Sequence, residues 1–104
     1  MMTDEEISEF AEALEWACQE AITKGFTISN LGQCCCCPMG ALIEPLGAVT
    51  HPDCWKAANA LNIAADEARS FMRGFDGWPK MQWGHDERLY RLGNQFRSKY
   101  FQLA

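Results

Sequence analysis

A chain of 104 residues with 48% apolar and 22% charged side chains is enough for one domain with one modest core, in ordinary globular proportions rather than those of a disordered chain. Its net charge of -5 disfavours nucleic acid as a partner, although residues 1–44 hold eight acids against Lys24 alone and the balance reverses from Arg69 onward. The longest uncharged stretch, 25–43, is interrupted by Gly25, Gly32, Pro38 and Gly40, so no membrane span is expected.

Thr3 followed three residues later by Glu6 is a capping box and should open a helix. Ile7, Phe10, Leu14, Ala17, Cys18 and Ala21 recur on one face of it, and Gly25 supplies the stop. Cys18 belongs to that stripe and should be buried, while Trp16 lies just beside it and reads as a flank residue covering the core's edge, with a surface anchor for a partner as the alternative. Residues 26–33 read as irregular. Pro38 can begin a short helix through Ala41, Leu42 and Ile43, and Thr50 with Asp53 caps another whose inner face is Trp55, Ala58 and Leu61. After Asn62 the pattern predicts a helix from about Ala64 to Arg73, with Ala68, Phe71 and Met72 inward and Gly74 ending it. Asp86 opens the last helix, where Leu89, Leu92, Phe96, Tyr100 and Leu103 share a face and Gly93 allows close packing. The expected fold is all-α, one domain of four to five helices. The long first and last helices would form an antiparallel-capable pair with the short central ones packed across it.

The most unusual feature is the run Cys34-Cys35-Cys36-Cys37. Neighbouring cysteines bridge poorly, because disulfide geometry needs Cα atoms about 5.5 Å apart with converging side chains. With no signal-peptide pattern at Met1 to Glu6, free or metal-bound thiols in a reducing cytoplasm are expected. Cys34 and Cys37, then His51 and Cys54, pair as two x-x spacings of soft ligands suited to tetrahedral zinc. The plainer alternative makes the run an apolar wall of the core. A third gives Cys37, before Pro38, a lowered pKa at a helix start, with His51 or His85 as base for thiol chemistry. The skeleton from Ala58 through Asn62 to Phe71 fits a helix-turn-helix, but Asp66 and Glu67 would face the phosphates, so it reads as a plain helical corner. Asp76 and Asp86 read as a turn former and a cap.

Phe75 to Trp83 is a turn-rich connection with unusually heavy aromatic cargo. Phe75, Trp78, Met81 and Trp83 are therefore the candidate binding residues. The segments Cys36-Cys37-Pro38-Met39-Gly40-Ala41-Leu42, Ser70-Phe71-Met72-Arg73-Gly74-Phe75-Asp76-Gly77 and Tyr90-Arg91-Leu92-Gly93 resemble those of short bacterial and bacteriophage proteins. That resemblance implies a small accessory protein and transfers no site. The expected function is a non-catalytic cytoplasmic binding or regulatory protein that needs no cofactor and contacts a protein or small molecule. Homodimerisation through an exposed apolar patch is expected as well. A zinc-stapled interaction domain and a thiol-dependent enzyme are the alternatives.

Overall fold

The computed structural model describes residues 2–23, 25 and 62–100, which form three helices and no strand. They are α1 (Asp4–Thr23), α2 (Ala65–Asp76) and α3 (Glu87–Tyr100). No helix among the described residues is long and apolar enough to cross a membrane. The two helices expected between 38 and 62, and with them the count of four to five, lie outside the described residues. So do the cysteine run and Leu103.

α1 begins as its sequence predicts. The Glu6 amide donates to Thr3 Oγ1 (3.1 Å) and the Thr3 amide to Glu6 Oε1 (2.9 Å), so each side chain satisfies an orphan donor of the first turn. Those bonds also hold the Glu6 carboxyl below its usual pKa, the Thr3 amide acting most strongly. Phe10, Leu14, Ala17, Cys18 and Ala21 are buried, and Ile7 packs against them.

α2 is anchored at its start by Glu67, which is buried. Its carboxylate accepts the Ala64 amide (3.0 Å) and the Met2 amide (2.7 Å), tying the chain's first residues to this helix. Asn62 precedes it with φ of +58°, a left-handed conformation that asparagine tolerates better than most residues. The expected stop at Gly74 is wrong by three residues: α2 runs on to Asp76, and Gly77 ends it with φ of +77°. There the Trp78 amide donates back to the Arg73 carbonyl (2.9 Å). Gly74 instead lies inside the helix, where α3 crosses it. A Cβ on Gly74 would lie 2.2 Å from Tyr90 O, and one on Gly93 would lie 2.2 Å from Phe71 O, so the two backbones touch where each helix has no side chain.

α3 is capped by Asp86, whose Oδ1 accepts the amides of Arg88 (3.0 Å) and Leu89 (3.2 Å). The helix packs on α1 in parallel, although the pair was also capable of an antiparallel arrangement. Asp4 pairs with Arg88 and Glu15 with Lys99, the same offset of 84 residues at both places. Glu15 also accepts the Tyr100 hydroxyl, and Gln19 Nε2 donates to that oxygen (2.8 Å). The three helices meet at Phe71, whose ring makes edge contacts with Phe10 of α1 (6.0 Å between centroids) and Phe96 of α3 (5.7 Å). Such aromatic contacts contribute roughly 1 kcal/mol each beyond the area they bury.

Candidate functional site: an anchored tryptophan connection

Residues 77–86 lead from the end of α2 back toward its beginning. Gly84 lies against Asp66 in the first turn of α2, and the Asp86 amide donates to the buried Ser70 hydroxyl (2.9 Å). This return lets α3 run in the same general sense as α2. It also leaves the connection on the outer side of the α2–α3 crossing.

Its two ends are fixed by side chains of both helices. Tyr90 of α3 donates its hydroxyl to the Trp78 carbonyl (2.7 Å), and Arg73 of α2 donates from Nε to the Pro79 carbonyl (3.2 Å). The Arg73 guanidinium also stands 5.6 Å from the Trp78 ring, and Lys80 Nζ stands 5.8 Å from the Tyr90 ring. His85 meets the same Tyr90 ring edge-on at 5.1 Å. Glu87 gathers three cationic or proton-donating groups: Lys80 at 2.9 Å, His85 Nε2 at 2.8 Å and Arg91 at 2.8 Å. Lys80, His85 and then Arg91 hold its carboxyl down to about 2. A carboxylate can only accept, so His85 Nε2 is the donor in this contact.

Between these anchors, Met81 to Gly84 make no hydrogen bond among the described residues. Trp83 is at the tip of that stretch and is 81% exposed, whereas Trp78, beside its anchor, is 56% exposed. Met81 is half-buried. The structure thus brings Trp78, Met81 and Trp83 onto one connection and separates Phe75 from them. Phe75 belongs to the last turn of α2 and is 1% exposed, so it is a core residue rather than part of a surface lip. The turn signal at Gly77 moved the boundary: Phe75 and Asp76 precede the left-handed residue instead of following it.

The groups that hold the connection, Arg73, Tyr90 and Glu87, were not among the candidate residues. A local signal existed for part of this arrangement, since Glu87 and Arg91 stand at the i, i+4 spacing of a helical ion pair. The pairing of Tyr90 with Trp78 depends on the return path and has no such signal. Cys34, Cys37, His51 and Cys54, proposed as zinc ligands, lie outside the described residues. His85, the other histidine, is engaged by Glu87 and Tyr90. No protein-family model, curated protein or solved structure matches the chain significantly.

Proposed function

We propose that this chain is a small non-catalytic binding protein that presents Trp78 and Trp83 to a macromolecular or small-molecule partner. The observation that carries the proposal is the contrast between exposure and support: Trp83 is 81% exposed on a connection fixed at both ends. A large ring held in water by an anchored backbone loses little conformational freedom on binding, and tryptophan is the residue type most enriched at binding hot spots. The adjacent thiols at 34–37 favour a cytoplasmic setting, and the sequence likeness to short bacterial and phage proteins favours an accessory role.

Photo-cross-linking from position 83 in bacterial cells tests this. Discrete adducts are expected from position 83, lost when Trp78→Ser is added and absent from a photo-cross-linker at exposed Ser98. A pattern at 83 that matches the one at 98 overturns the proposal.

A further inference from the structure

The exposed aromatic surface of the described residues is divided between two flanks of α3, and the two flanks carry opposite charge. On the α1 side, a shallow cleft of about 510 Å³ is lined by Ala11, Glu12, Trp16, Leu92, Gln95 and Phe96. Leu92 and Phe96 belong to the core and form its apolar floor, and Trp16, 61% exposed, forms a wall. The outer surface of α1 around it is acidic. Glu5, Glu9, Glu12 and Glu20 are exposed and have no ion-pair partner among the described residues.

On the α2 side, Trp78 stands against Arg73, Lys80 lies on the same connection as Trp78 and Trp83, and Arg91 joins Lys80 on Glu87. Arg73 has no carboxylate partner among the described residues, and Lys80 and Arg91 share Glu87 with His85, so positive charge is in excess there. The connection cannot reach the cleft of its own chain. Tyr90 and Gly93 turn toward the connection and α2, while Leu92, Gln95 and Phe96 turn toward α1.

We infer that the cleft is filled by the tryptophan connection of a second copy of this chain. Trp83 of one copy packs on Leu92 and Phe96 beside Trp16 of the other, with Arg73 and Lys80 facing the acidic surface that includes Glu12. The inference rests on the binding role of the connection and names its partner. Charge complementarity selects this occupant. A basic peptide would suit the cleft alone and an acidic one the connection alone, whereas a second copy satisfies both surfaces in one contact. The contact also covers Trp16, Trp78 and Trp83, large rings of the kind that supply most of an interface's affinity.

Sedimentation velocity of the full chain at low salt, over roughly 1 to 200 µM, is expected to show a concentration-dependent shift from monomer to dimer that weakens as salt is added. Trp16→Ser and Trp83→Ser should each weaken association by roughly thirtyfold or more. An equimolar mixture of the two variants should regain a 1:1 pair, because each supplies the half that the other lacks. A chain that stays monomeric throughout, association that neither substitution weakens, or a mixture that fails to recover each overturns the inference. Circular dichroism confirms that the variants are folded. Should one not fold, Glu12→Lys and Arg73→Glu provide the same complementation through charge. A monomeric chain whose position 83 still cross-links to a different protein overturns self-association alone, whereas one with no specific adduct overturns the binding role as well.

Discussion

α3 is packed on both sides, and the two seams are built by opposite means. Against α1 it is joined through side chains, with Leu14, Leu89, Phe96 and Tyr100 in the shared core and the pairs Asp4–Arg88 and Glu15–Lys99 nearer the surface. Against α2 there are no side chains at the crossing, because Gly74 and Gly93 bring the two backbones together. Where side chains separate two helices, their upper surfaces leave a cleft, and the one beside Trp16 is its result. Where backbones touch there is no groove, and the adjoining chain must pass over the outside, which is where the tryptophan connection lies. The two seams also differ in what they tolerate. A seam of flexible side chains can adjust to a substitution, but one of backbone atoms can only open.

The sharpest way to break that contrast is to add one carbon to the crossing. In Gly93→Ala the new Cβ would stand 2.2 Å from Phe71 O and 2.7 Å from Phe75 N, both backbone atoms that cannot rotate away. Alanine gains about 1 kcal/mol of helix propensity over glycine. Overpacking costs typically 1–3 kcal/mol, and contacts with fixed backbone put this site at the upper end, so a net loss of about 2 kcal/mol is expected in urea denaturation. Gly74→Ala should behave alike. Once one alanine has forced the helices apart the second meets less resistance, so the double variant should lose clearly less than the two single losses added. Additive losses would mean that the glycines act separately and that the crossing is not one contact.

Substitution in the other seam should be milder. Tyr100→Phe removes the hydroxyl that donates to Glu15 and accepts from Gln19, but Lys99 remains on the same Glu15 oxygen. A loss of about 1 kcal/mol is expected by thermal denaturation. Burial works against ionisation of Glu15, and the bonds from Lys99 and Tyr100 outweigh it, so the carboxyl is held below its usual pKa. The Tyr100→Phe variant should therefore show a Glu15 carboxyl that titrates closer to the ordinary range, which carboxyl NMR can follow.

Two acids on either side of the connection titrate with opposite consequences. Burial raises the pKa of Asp76, at the C-terminal end of α2, despite the nearby Arg97. The folded state therefore holds its proton more tightly than the unfolded state, and this group's contribution falls as pH rises through the window above 3.8. Removing the charge should help at neutral pH: Asp76→Asn is expected to stabilise by about 0.5 kcal/mol, consistent with a carboxylate facing the negative end of a helix dipole. The gain should vanish at pH below that window. Glu87, at the start of α3, is lowered from 4.5 to about 2 by Lys80, His85 and Arg91. Its contribution is present above pH 4.5 and is lost as pH falls toward 2, so Glu87→Gln should flatten the acid limb of the stability profile.

The parts of this fold that were legible in the sequence are those decided within a few residues. The Thr3–Glu6 box, the α1 stripe from Phe10 to Ala21, the Asp86 cap and the need for a small residue at Gly93 all follow from local spacing. What was not legible depends on contacts made at long range. Gly74 reads as a helix stop because glycine favours one, and only Tyr90 on another helix shows why it is tolerated within α2. The same misplaced boundary carried Phe75 from the core into the candidate binding lip. Parallel packing of α1 and α3 was also hidden, because amphipathic stripes specify which faces meet and not the sense in which they run. For the site, composition pointed to Trp78 and Trp83, but their support by Tyr90 and Arg73 depends on the return path of residues 77–86.

The smallest expected effect on stability is at the residue most exposed. Trp83 is 81% exposed, and Met81 to Gly84 make no hydrogen bond among the described residues, so neither burial nor backbone pairing depends on its ring. Trp83→Ser should therefore change the unfolding free energy by less than about 0.5 kcal/mol, the range of surface substitutions away from special features. Trp78→Ser gives the contrast. It removes the ring beneath the Arg73 guanidinium, so a loss of about 0.5 to 1 kcal/mol is expected. Chemical denaturation of both variants, measured dilute enough to keep the chain monomeric, decides the matter. If Trp83→Ser proves the more destabilising of the two, its ring belongs to the fold. If it is neutral, the chain keeps a large apolar group in water that its own stability does not require.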